Sequence, residues 1–247
     1  GIGRSEERCW KAKEKMMAGN PEGQIVMCVA DLSLQSNIRG LRSEIETTLQ
    51  DYGRQGLDGL VNNAGTFTYW QILTAEGFEM QWAVNHLAPF LLSNVLLPLL
   101  MEAPSARIVT VSSDSHYQGR MKWSDLQLRK CYNGLAAYSN TKLGNVLFTQ
   151  AFNYHIGPQA SVKAFAADPG LVKTEIGFKD TPGIVRWMRH PVLVALAIWA
   201  GVHLLPNGDL AHVILFGVLG SFAVAGGALI DRRKRQSLGA ERWKALD

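Results

Sequence analysis

Four short apolar runs, Gln24 to Ala30, Leu57 to Val61, Arg107 to Ser112 and 161–167, alternate with helical periodicity over 5–18, 35–52, 75–101 and 135–153. Strand, helix, strand in that rhythm describes crossover connections, so the strands run parallel and the helices cover the sheet. The 247 residues, 47% of them hydrophobic, are enough for one large α/β domain or a smaller one with an appendage. Open α/β sheets hold their ligands beyond the carboxyl ends of the strands. Two such ends here are polar: Asn62-Asn63-Ala64-Gly65 follows one strand, and Ser113 closes another.

The helix over 135–153 carries Tyr138 and Lys142, four residues apart and therefore on one face. A phenol with a free pKa of about 10 exchanges protons poorly near neutrality, whereas a nearby ammonium stabilises the phenolate and lowers that value. The pair predicts a general acid/base for an alcohol/carbonyl couple. Taken alone, a Tyr-x-x-x-Lys also describes an ordinary solvated helix face, and a Ser-Ser an ordinary strand end.

In order along the chain, LDGLVNNAGTF, AEGFEMQWAVNHLAPFLLSNVLLPLL, ARIVTVSSDSH, YSNTKLGNVLF and DPGLVKTEIG make residues 4–180 resemble the short-chain dehydrogenase/reductase family, in its retinol dehydrogenase-like branch. The resemblance implies an oxidoreductase passing hydride between NAD(P)(H) and an alcohol/carbonyl pair on a small hydrophobic substrate. By it, Tyr138 is the acid/base, Lys142 lowers its pKa and holds the nicotinamide ribose, and Ser113 hydrogen-bonds the substrate oxygen. Asn85 holds a relay water near Lys142.

On the cofactor side the resemblance assigns Asp31 to the adenine and Asn62, Asn63, Ala64 and Gly65 to the length of the cofactor. Pro169, Gly170 and Thr174 fall near the carboxamide and pyrophosphate. Arg4 reads a 2′-phosphate, which sets NADP ahead of NAD. Asp31 and Thr174 would equally serve as helix caps.

The glycine-rich turn that cradles the pyrophosphate in that family is not found in this sequence, nor is the strand before it. That strand is the middle of the doubly wound sheet, so the remaining strands must close a gap or leave apolar edges bare. The expected fold is therefore α/β: an incomplete Rossmann-type doubly wound parallel sheet lacking its first strands, followed by an apolar helical hairpin. With no initiator Met or signal peptide before Gly1-Ile2-Gly3, the chain reads as N-terminally incomplete.

After Arg189 the composition changes. Pro191 to Leu205 is apolar apart from His203, Pro206 to Asp209 makes a turn, and Leu210 to Ile230 holds no charged residue. The second run is long enough to cross a bilayer, and Gly217, Gly220, Gly226 and Gly227 suit close helix packing. Basic residues at both outer ends, Arg186 and Arg189 and then Arg232 to Arg235, put those ends and the catalytic domain on the cytoplasmic side of a membrane. Core helices of a soluble domain are the alternative. Residues 189–235 also resemble part of the NnrU family of integral membrane proteins, which includes a haem-binding isomerase, making His190 and His203 candidate ligands. The expected domains are 1–182 and 183–247.

The net charge of +4 is modest, and its densest basic run follows an apolar stretch, which favours a membrane surface over nucleic acid. Cys9, Cys28 and Cys131 are odd in number and widely spaced, so neither a disulfide framework nor a metal site is expected. Two further expectations stand beside the dehydrogenase. One is a membrane protein whose function lies in the hairpin; the other is a catalytically inactive relative.

Overall fold

The parallel strands divide between two sheets. In the computed structural model β1 (Ile2–Gly3) pairs with β2 (Cys28–Val29), while β3 (Gly59–Asn62), β4 (Ala106–Val111) and β5 (Val162–Ala167) pair in that order. The structure describes residues 1–170 and, further on, the helical positions 218–221, 225–226, 229 and 232. The chain divides into two compact units, Gly1–Asp180 and Thr181–Asp247. Most of the expected hairpin over 191–230 lies outside the described residues.

Five helices connect the strands: α1 (Glu6–Gly19), α2 (Gln35–Asp51), α3 (Met80–Trp82), α4 (Ala88–Met101) and α5 (Gly134–Ile156). Their ends follow local chemistry. Ser5 caps α1 by accepting from Arg8 N, and Asn133 caps α5 by accepting from Ala136 N. Gly157, at φ +84, ends α5 in a conformation that side-chain-bearing residues rarely adopt. α3 runs into α4 through a π-helical turn, Ala83–Leu87.

The N-terminus of α2 is capped from a distance. Glu76 accepts from Gln35 N at 2.7 Å and from Ser36 N at 3.1 Å, and the Ser36 hydroxyl donates to it at 2.7 Å. These bonds hold its carboxyl below the usual carboxylate range.

The core lies where α2, α4 and α5 meet the three-stranded sheet. Ile38 and Leu41 from α2, Leu96 and Leu100 from α4, Ile108 from β4 and Val162 from β5 are buried. Each such side chain contributes roughly 1.5–3 kcal/mol by leaving water. The continuous helix Met80–Met101 is long and apolar enough to cross a membrane. Burial of Leu92, Leu96, Leu99 and Leu100 makes it a core helix of this unit.

Between β1 and β3 the sheet is interrupted by a cavity of about 560 Å³, lined by Ile2, Leu32, Leu49, Leu60, Leu92 and Leu96 among others. The gap expected from the sequence is thus left open. On its side of β3, Val61 is 67% exposed.

Candidate active site

Tyr138, Lys142, Ser113 and Asn85 come together at the carboxyl end of β4. Tyr138 and Lys142 stand one turn apart on α5, and the Lys142 ammonium lies 5.5 Å from the centre of the Tyr138 ring. Ser113 follows β4 and caps the 3-10 turn Asp114–Gln118, its hydroxyl accepting from Ser115 N at 3.3 Å. On the other side Phe67 packs edge-on against the Tyr138 ring, with centroids 5.8 Å apart.

Lys142 is 4% exposed, and burial lowers its pKa to about 8. Its Nζ donates to the carbonyl of Val111 at 3.0 Å. Asn145 Nδ2 donates to the same carbonyl at 3.3 Å. Burial also raises the Tyr138 pKa above its ordinary value; the Ser113 hydroxyl opposes that shift and the Asp168 carboxylate adds to it. This differs from the sequence expectation, in which Lys142 lowers the phenol's pKa. The helical spacing is as expected, but the ammonium is directed at a backbone carbonyl, and desolvation dominates the phenol.

Asn85 sits in the π turn with its side chain fully buried. Its Oδ1 accepts from Thr66 N at 2.7 Å, and its Nδ2 donates to Thr66 O at 2.9 Å and to Thr141 Oγ1 at 3.3 Å. Its own carbonyl receives Asn145 Nδ2 at 2.9 Å. Asn85 thereby fixes the strand-to-loop turn after β3 against α5. Gly65 completes this corner: a Cβ there would lie 3.7 Å from Asn85 Oδ1 and 3.8 Å from Lys142 Nζ.

The remaining assigned positions scatter more. Asn62 turns inward, its Nδ2 donating to Ser93 Oγ and Thr110 Oγ1, both at 3.1 Å, so the side chain ties β3 to α4 and β4. Asn63 and Ala64 are exposed at the end of β3. Asp31 closes a local turn, accepting from Ser33 N at 2.9 Å. Arg4 is exposed just past β1, and Pro169 and Gly170 are exposed after β5. Thr174, His190 and His203 lie outside the described residues.

Sequence reasoning missed a buried network beside the site. Tyr132 donates to Glu79 Oε1 at 2.9 Å, and Gln81 Nε2 donates to Tyr132 Oη at 2.8 Å and to Gly134 O at 3.0 Å. Glu79 also caps α3, accepting from Gln81 N and Trp82 N. Burial raises the Tyr132 pKa to about 12, keeping it a hydrogen-bond donor. The network locks the loop before α5 onto α3 and so sets where Tyr138 begins. Its one sequence signal, Glu79 just ahead of an apolar helix, marks a cap but not the partner 53 residues away.

The donor set fits one end of a dinucleotide. Tyr138, Lys142 and the open Gly65 corner could take a ribose and its ring, with Asn63 and Ala64 beside them. At the other end the described residues offer Arg4, Asp31 and the open cavity in place of a glycine-rich turn.

A parallel sheet with helices on its faces and polar groups at its carboxyl ends is a partial Rossmann-type, doubly wound α/β unit. The short chain dehydrogenase model matches residues 1–183, and the chain belongs to that family. The NnrU protein model matches residues 130–246. Mouse retinol dehydrogenase 14 is 40% identical over 157 residues, covering 63% of this chain and 45% of that protein. Human polyprenol dehydrogenase is 34% identical over 177 residues, covering 65% and 54%. The chain thus spans about half the length of these curated relatives. Among solved structures, an uncharacterised protein from Mycobacterium paratuberculosis superposes with a TM-score of 0.57 at 34% identity, over 72% of this chain and 60% of that one. An alcohol dehydrogenase from Thermococcus sibiricus, solved with 5-hydroxy-NADP, shares the fold at a TM-score of 0.54 and 20% identity, over 74% and 68%.

Proposed function

We propose that the dehydrogenase unit exchanges hydride between NAD(P)(H) and an alcohol/carbonyl pair on an apolar substrate. The observation that carries this reading is the convergence of Tyr138, Ser113, Lys142 and Asn85 around the open corner at Gly65. In reduction the Tyr138 phenol gives its proton to the substrate oxygen, and in oxidation the phenolate takes it back. Ser113 donates a hydrogen bond to the same oxygen. Lys142, once its ammonium turns from the Val111 carbonyl, supports the phenolate and the ribose hydroxyls. Asn85 holds the Thr66 corner and a relay water beside Lys142. The bound nicotinamide supplies or accepts the hydride.

Asn62 to Gly65, Pro169, Gly170 and Thr174 would hold the cofactor along its length, and Asp31 its adenine. Arg4, exposed just past β1, would read a 2′-phosphate and so favour NADP over NAD. Phe67 against Tyr138 supports an apolar substrate, as do the names of the retinol and polyprenol dehydrogenases among the relatives. Attachment to a membrane through 191–230, with the dehydrogenase unit on the cytoplasmic face, follows from the charge pattern and is supported by the NnrU match.

Fluorescence titration of the detergent-solubilised chain with NADPH and NADH tests the reading, followed by turnover of a long-chain apolar aldehyde. Saturable binding, with turnover lost in Tyr138→Phe, is expected. No binding by a folded sample would make the chain an inactive member of its family.

A further inference from the structure

The Val111 carbonyl, at the end of β4, has two donors. Lys142 Nζ reaches it at 3.0 Å and Asn145 Nδ2 at 3.3 Å, and both side chains are buried. Asn145 shares the inner face of α5 with Lys142, three residues before it. Its Nδ2 also donates to the Asn85 carbonyl at 2.9 Å, to which Pro89, four residues on, has no N–H to offer. Carbonyls only accept, so the amide nitrogen must face these two and Asn145 Oδ1 must face His86 Nδ1, 3.2 Å away. His86 Nδ1 therefore carries the proton and donates it. The imidazole is held in place, with the Trp82 ring centre 4.7 Å from its own and a Cβ on Gly144 only 2.8 Å from Nδ1 were one present. Burial lowers the His86 pKa, against the opposing bond to Asn145, and keeps the ring neutral near pH 7.

We infer that Asn145, oriented by His86, is a positioning residue for Lys142: it keeps the Val111 carbonyl hydrogen-bonded when the ammonium leaves for the Tyr138 phenolate and a ribose. This role rests on the proposed dehydrogenase function, in which Lys142 makes that turn. A carbonyl left without a donor among buried side chains would hold the ammonium back. Because Asn145 is already within reach, the carbonyl gives up one of two bonds instead of its only one. His86 supplies the orientation, since an amide turned over would set Oδ1 against two carbonyl oxygens.

Two thermodynamic cycles on the full detergent-solubilised chain, pairing Asn145→Leu with Lys142→Met, test this role. The first measures thermal unfolding without nucleotide. Each single variant leaves Val111 one side-chain donor and the double variant leaves none, so the double should melt below the sum of the two single effects. The second titrates NADPH by fluorescence. Asn145→Leu should weaken binding at least about fivefold when Lys142 is present and not at all in Lys142→Met. His86→Phe should weaken it in the same direction, whereas His86→Asn, which keeps a donor facing Oδ1, should stay near wild type. Additive melting temperatures, or an equal loss of affinity in both backgrounds, would overturn the inference, the latter leaving Asn145 a structural residue only. Asn145→Ala takes the place of Asn145→Leu if that variant does not fold. NADPH binding by the wild type with a flat Asn145 cycle would sink this role alone and leave the dehydrogenase reading standing; no NADPH binding by the wild type would remove that reading and this role with it.

Discussion

The segment from β4 to β5 and the segment from β1 to β3 are built from the same strand-helix rhythm, yet they are finished to different degrees. In the first, β4 is paired along both edges, α5 is capped by Asn133 at 2.9 Å, and Lys142 beside Tyr138 is fixed to the Val111 carbonyl at 3.0 Å. In the second, two short strands stand apart from the main sheet across an apolar cavity. Three strands and one long helix therefore hold the proposed reaction centre rigidly, while the surface between the two sheets stays open. Under the proposed function, chemistry and cofactor affinity are expected to be separable properties of this fold.

Substitutions can test that separation. The largest effect expected is from Tyr138→Phe, which should lower turnover by about 10²–10⁴-fold while NADPH affinity stays near wild type. A parallel loss of affinity would show that the two halves are not separable. Next is Leu100→Ala, at a fully buried α4 position, which should cost about 2–5 kcal/mol in denaturant unfolding.

Lys142→Met should move stability the other way. The amine's pKa falls from 10.5 to about 8 in the folded chain, so the unfolded chain binds more protons between those values and stability rises with pH across that window. Below about pH 8 the buried charge is a standing penalty. The variant should gain about 1–3 kcal/mol near pH 7, and the gain should disappear above about pH 10.5, while activity is lost. A variant no more stable than wild type would mean that the Val111 bond offsets the burial. The smallest effect is expected from Leu60→Ala, beside the cavity and only half-buried, at under about 1 kcal/mol. A cost approaching that of Leu100→Ala would show the open half to be as tightly packed as the closed one.

What was readable in the sequence tracks how local its cause is. Tyr138 and Lys142 share a face because four residues make about one turn, and Ser113 sits at a strand end because the apolar run stops there. The helix expected over 135–153 is observed as Gly134–Ile156, fixed by Asn133 and Gly157 at its ends. The strand expected over Gln24 to Ala30 shrinks to Cys28–Val29, because β1 offers a two-residue edge to pair with. The inward turn of Asn62, the Glu76 cap on α2 and the Glu79–Gln81–Tyr132 network depend on partners 31 to 53 residues away, and no periodicity announces such pairs. The raised Tyr138 pKa was hidden for a related reason. Spacing gives the neighbour, but burial and the direction in which the ammonium points belong to the folded chain.

The π turn at Ala83–Leu87 has a consequence for the tolerated length of the chain. A π turn accommodates one residue more than the α-helix around it would need. Removing Val84 would let Met80–Met101 relax to a regular helix, and each residue of such a helix turns its neighbours by about 100°. Asn85 could then meet Thr66 and Thr141, or the Leu92-Leu96-Leu100 stripe could meet the core, but not both. The surplus residue works as a phase shifter between two faces of one helix. At this point a single deletion should harm the proposed site more than most substitutions, although nothing of chemical interest would have been removed.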